Sequence, residues 1–198
     1  MEYMRPPKKI VPTGQSSCNQ TFRDNDKLKI IEKDYFDFSQ KTEGTASNNS
    51  YYYTFYSCGK LELIEDIGIG AGDPLFALSH TFGVCSRLHT IEKITVVETT
   101  AYSNAFNNCW KLANITFEGT IGQSGLDFSW SPLTKASIEN IINHLSTTAS
   151  GKSITFNKDS INDAFGINVD DTSTYPEGSE FYILRHSKDN WTFNYGTH

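Results

Sequence analysis

One comb of side chains, Phe-x-x-Cys-x-x-Leu-x-x-Ile, restricts the fold of this 198-residue chain more than anything else in it. Phe82, Cys85, Leu88 and Ile91 are followed by Phe106, Cys109, Leu112 and Ile115, and preceded by Phe55, Cys58, Leu61 and Ile64. A weaker copy, Phe22, Asn25, Leu28 and Ile31, has Asn in the Cys place. The four Phe stand 33, 27 and 24 residues apart, a period found in stacked-coil architectures. A single coil of that length cannot bury its own apolar side chains, so it stacks them on the same positions of its neighbour. Three rows are therefore expected along the stack: Phe55, Phe82 and Phe106; Cys58, Cys85 and Cys109; Leu61, Leu88 and Leu112. Ile94 and Val96 after Ile91, and Phe117 after Ile115, continue with period two and predict short strands, leaving Glu92, Glu98 and Thr116 outward.

From Leu126 the comb stops, and the pattern becomes a strand followed by a helix over about 135–146, with Thr134 as N-cap and one apolar stripe of Ile138, Ile141, Ile142 and Leu145. A strand near 153–156, a short helix near 159–165, a loop with Asp170, Asp171 and Pro176, a helix near 179–188 and a last strand with Trp191 and Phe193 complete the chain. An open stack exposes strand edge and apolar surface, so a terminal cap is required. The expected organisation is a flexible N-terminal arm at 1–20, a repeat solenoid at 21–125 and a C-terminal α/β cap at 126–198 packed on it.

The segment (Thr/Ala)-Phe-x-x-Cys-x-x-Leu-x-x-Ile, seen from Thr54, Thr81 and Ala105, resembles the BspA-like class of bacterial leucine-rich repeats. The C-terminal run Leu133, Thr134, Ser137, Ile138, Ile141, Ile142 and Leu145, with Trp191 and Thr192 at the end, is similar to the segment closing many such proteins of gut bacteria and their phages. The resemblance implies a short, irregular leucine-rich-repeat solenoid of about four coils with parallel short strands. It also implies a non-catalytic recognition or adhesion module that binds a protein or glycan on a cell surface. An alternative is a structural or receptor-binding component of a phage tail or similar assembly, docked through residues 1–20; a glycan hydrolase ranks last. The implied location is an extracellular surface or a virion, although the opening MEYMRPPKKIVPTG does not read as a secretion signal.

Composition narrows the chemistry. A net charge of −6, with only Arg5, Lys8 and Lys9 clustered, argues against a nucleic-acid partner. No run approaches the roughly 18 apolar residues of a membrane span. Cys58, Cys85 and Cys109 share a comb position and fit no zinc spacing, so they are expected as buried structural thiols, with Cys18 outside the comb. The glycines of IGIGAGDP lack the lysine and following helix of a phosphate loop. His80 and His89 could approach each other on adjacent parts of one coil, with Asp73 or Glu92 nearby, but without a metal-binding spacing, and Asp163, Asp170 and Asp171 lack calcium-loop order. No cofactor, metal or catalytic residue is expected. The binding candidates are Tyr51, Tyr52, Tyr53 and Tyr56, which surround Phe55 after a polar excursion between Ile31 and Tyr51; some of them must point inward.

Overall fold

The structure is a computed structural model that describes residues 18–33, 35, 51–68 and 78–197. Most of the N-terminal arm, most of the polar excursion, and Gly70 and Gly72 lie outside the described residues.

The fold is mixed α/β, with parallel strands in two sheets and three α-helices among the described residues. The comb positions set the register of the first sheet. β1 (Ile30–Ile31), β2 (Leu63–Ile64), β4 (Thr90–Val96) and β5 (Asn114–Gly119) pair in parallel, so that Ile31, Ile64, Ile91 and Ile115 form one row. β3 (Ile67–Gly68) also pairs with β4, placing Ile67 beside Ile94 and Ile94 beside Phe117 after a register shift between Ile91 and Ile94. These apolar members are buried, while Glu92, Glu98 and Thr116 face outward as the alternation requires.

Opposite the strands, each copy turns tightly around its Phe. Phe22, Phe55 and Phe82 each donate their backbone N–H to the next copy, at Thr54, Thr81 and Ala105, and all three bonds measure 3.0 Å. The turn demands left-handed backbone two residues before and two after each Phe: Gln20 and Asp24, Tyr53 and Ser57, His80 and Val84, Asn104 and Asn108 all have φ between 53° and 63°. Asn and Asp adopt this region at little cost, whereas a β-branched residue is strained there. Val84, at φ 63°, is the poorest match. Val84→Asn is expected to raise stability by about 1 kcal/mol, read as a higher urea midpoint at unchanged slope; a lower midpoint would show that the packing of Val84 outweighs its strain.

The Phe rings form one column. Phe22, Phe55, Phe82 and Phe106 stack with centroids 5.6, 5.9 and 5.4 Å apart and planes within 14°. The column does not end with the comb, because Phe128 lies 5.0 Å from Phe106, Phe156 6.3 Å from Phe128, and Phe193 6.2 Å from Phe156. These last three belong to the second sheet, β6 (Leu126–Phe128), β7 (Lys152–Asn157) and β8 (Trp191–Gly196), again all parallel. One core therefore runs through both sheets.

Side chains at two comb positions stitch a copy to the one before, both of them in the Phe55 and Phe82 copies and the Cys alone in the Phe106 copy, where Ala105 replaces Thr. Thr54 and Thr81 donate Oγ1 to the carbonyls of Cys18 and Tyr51, at 2.6 and 2.8 Å. Cys58, Cys85 and Cys109 donate Sγ to the carbonyls of Phe22, Phe55 and Phe82, at 2.9 to 3.1 Å. The thiols are thus donors as well as buried apolar groups. Asn25, in the first copy, instead turns Oδ1 back to accept from the backbone N–H of Lys27 and Leu28.

The expected cap helix is α1 (Lys135–His144), whose N-cap Thr134 accepts from the Ser137 N–H. Its apolar stripe is buried, and its polar residues close the free edge of β5. Ser137 Oγ accepts from Ile115 N–H and donates to the Ala113 carbonyl, while the Asn140 amide accepts from Phe117 N–H and donates to its carbonyl. The edge thereby loses its unpaired groups to side chains. α2 (Lys158–Phe165) and α3 (Glu180–His186) follow. Lys188, just after α3, is 7 % exposed and donates Nζ to the carbonyls of Leu145 and Asn143, a cation seated on the C-terminus of α1. Burial lowers its pKa.

Candidate recognition surface

The four tyrosines separate into two groups. Tyr51 does not belong to a binding surface: it is 1 % exposed and its hydroxyl donates to the Gly68 carbonyl at 3.1 Å. It sits four residues before its Phe, on the inward side of the turn, so its phenol is a core group. Tyr52, Tyr53 and Tyr56 are half-buried, with part of each ring reaching the surface.

The left-handed turn places these three rings together and adds residues from the copies on either side. Tyr53 makes edge contacts with Tyr52 at 4.4 Å and Tyr56 at 4.8 Å, and stacks on the His80 ring at 4.5 Å with planes 10° apart. Arg23, from the preceding copy, holds its guanidinium 5.1 Å from the Tyr53 ring centre and 5.4 Å from that of Tyr56, an arrangement favoured by the negative ring faces. Its Nη1 also donates to Gln20 Oε1, and its Nε lies 3.4 Å from an Asp24 carboxylate oxygen. Tyr56 can lie flat only because Gly83 has no side chain; a Cβ there would come within 2.9 Å of the ring. Arg23, Tyr52, Tyr53, Tyr56 and His80 thus form one aromatic and cationic patch held by a rigid backbone. Tyr and Arg are the residue types that carry most binding energy at interfaces.

Partial burial adjusts two protons in this patch. Burial raises the Tyr53 pKa, neighbouring Tyr52 and Tyr56 raise it further, and Arg23 opposes them. Burial lowers that of His80. Both groups are therefore neutral near neutral pH, and Arg23 supplies the positive charge of the patch.

The strand side of the molecule has a different character. Lys93 pairs with Asp66 at 2.9 Å and lies 3.9 Å from Glu118, Arg87 lies 3.9 Å from Glu62, and Glu65 accepts from the Lys33 backbone N–H. Its carboxylates outnumber the cations that meet them, since Lys93 serves both Asp66 and Glu118 while Glu92 is exposed, so this face is slightly acidic. A further aromatic pair escaped sequence reasoning: Trp110 is 49 % exposed and meets Trp130 edge to face at 4.3 Å. Trp110 follows a comb Cys, a position taken by Gly59 and Ser86 in the other copies, so no periodicity marks it.

The remaining candidate chemistry resolves into structure. Cys58, Cys85 and Cys109 are fully buried, and burial pushes their thiols up, to about 11 for Cys58, well up for Cys85 and to about 12 for Cys109. Cys18 is buried as well, and no disulfide joins the four. Because the thiolate is the reactive form, the folded chain is expected to resist an aromatic disulfide reagent and to release the signal of all four thiols only in denaturant. Reaction of two or more at the mixing rate in buffer would contradict the buried ladder.

His80 stacks on Tyr53, whereas His89 bonds Thr90 Oγ1 at the start of β4, so the two do not form a joint site. His144 and His186 each donate Nδ1–H to a carbonyl one helical turn back, Asn140 and Tyr182. Asp171 caps a short 3-10 turn and Asp170 pairs with Lys158. Among the described residues no three His, Cys, Asp or Glu converge as metal ligands, and no helix is long and apolar enough to cross a membrane. Compared with protein-family models, with curated proteins and with solved structures, the chain matches none.

Proposed function

We propose that this chain is a non-catalytic recognition module, built as a short solenoid of about four coils of the BspA-like leucine-rich-repeat kind and closed by its C-terminal α/β section. The ring column carries the architectural half of this reading, since equivalent Phe of successive copies lie 5.4 to 5.9 Å apart in near-parallel planes. Such stacking turns every outward position of the turn into a file of side chains on a stiff support.

The functional half rests on one observation: the patch of Arg23, Tyr52, Tyr53, Tyr56 and His80 is partly exposed yet fixed in place by stacking and by the left-handed turns. A preordered aromatic patch loses little conformational entropy on binding, which suits docking to a surface ligand. The module binds a protein or glycan through this face, and the slightly acidic strand side serves as its back. Pull-down of the chain on bacterial and mucin surfaces tests the reading. Tyr53→Ala combined with Tyr56→Ala is expected to lower retention at least tenfold while the circular dichroism spectrum is kept; undiminished retention would remove the patch from the site.

A further inference from the structure

We infer that a cleft adjoining the aromatic patch binds a neutral carbohydrate, an assignment that rests on the recognition reading above and names its ligand. The cleft, about 410 Å³, counts Ser103, Asn104, Ser124, Asp127, Ser153 and Thr155 among its ten lining residues, a volume at the lower end of small-molecule sites. It opens where the first sheet's turns give way to the second sheet. Ser103 accepts a backbone hydrogen bond from His80 at 2.9 Å, and Asn104 holds the same left-handed turn position as Tyr53 and His80. The cleft is therefore the next step along the file that carries the patch.

Its lining selects the ligand. No Lys or Arg faces it, and Asp127 is its one charged group, which disfavours phosphate, sulfate and carboxylate ligands. Those six of its ten lining residues carry a hydroxyl, an amide or a carboxylate, so a wholly apolar ligand would leave these groups without partners. Four of the six, Ser103, Asn104, Ser153 and Thr155, form no side-chain hydrogen bond among the described residues. The Ser124 hydroxyl accepts from the Ser153 N–H and keeps its own proton to donate, and one Asp127 oxygen accepts from the Ser129 N–H and leaves the other open. Hydroxyls that both donate and accept, beside an amide and an acceptor-only carboxylate, match a ligand bearing a hydroxyl at nearly every position. Asn194 lies in register with Thr155 and Asp127 across the sheet and extends the same polar row.

The test is an array of neutral oligosaccharides of glucose, mannose, galactose and N-acetylglucosamine, probed with the full chain and three variants. Thr155→Val removes a hydroxyl without changing shape, Asn104→Gly removes the amide while keeping the left-handed turn, and Tyr53→Ala alters the patch alone. The expected result is retention of at least one neutral sugar series, weakened tenfold or more by each cleft variant at unchanged melting temperature. Sugar binding that ignores Thr155→Val and Asn104→Gly overturns the cleft as its site. No sugar bound, with retention on bacterial or mucin surfaces still lost in Tyr53→Ala, overturns the carbohydrate assignment and leaves the recognition reading standing. Loss of neither kind of binding in any variant overturns both.

Discussion

Phe82→Ala is expected to lower stability by about 4 kcal/mol, the cost typical of emptying a fully packed aromatic site. Phe82 is fully buried between the rings of Phe55 and Phe106, so its removal leaves a gap with apolar walls on both sides. Its neighbours cannot close that gap, because the turns that carry them are fixed to adjacent copies by backbone bonds such as Phe55 N–H to the Thr81 carbonyl. At this chain length the loss corresponds to a fall in melting temperature of about 10 °C, measurable by circular dichroism. Phe22→Ala, at the half-buried end of the column, should cost less than half as much. Equal costs at the two positions would mean that the rings do not form a shared core.

Gly119→Ala should be nearly as damaging, for a different reason. Gly119 ends β5 at φ +89°, and a Cβ there would stand 2.0 Å from the Val96 carbonyl oxygen of the adjacent strand. That neighbour is backbone within a parallel pair, so it cannot swing aside as a side chain could. The positive φ alone costs a non-glycine residue about 1 kcal/mol or more, and the clash forces the ends of β4 and β5 apart. A total loss of about 3 kcal/mol is expected in urea titrations. A variant within 0.5 kcal/mol of the parent, as surface changes usually are, would show that the strand ends are free to separate.

The repeat was legible because one offset serves two purposes. The spacing that puts Ile31, Ile64, Ile91 and Ile115 in strand register also stacks Phe22 to Phe106, so both follow from the same letters. The continuation of the column through Phe128, Phe156 and Phe193 was hidden, because there the Phe sits on a strand and helices replace the rest of the comb. The reason for Thr before Phe and for Cys after it was also invisible, since each donates to a carbonyl some 30 residues back.

The patch was half legible. Four tyrosines within six residues announced an aromatic cluster, but Arg23 and His80 join it only through stacking of neighbouring copies, and Tyr51 leaves it because the Gly68 carbonyl satisfies its hydroxyl inside. The cleft had no signal at all. Its serines and threonines look like ordinary strand and loop residues until two sheets bring them together.

The spacing of the rings has an implication for how such a chain can change. Phe22, Phe55, Phe82 and Phe106 are separated by 33, 27 and 24 residues, yet their centroids differ in separation by only half an ångström. The interior is blind to how much polypeptide links one turn to the next, and lengthening a closed loop costs little entropy. Insertions of several residues between copies can thus be accepted or discarded freely, and the outline of the molecule can diversify while its spine is inherited intact.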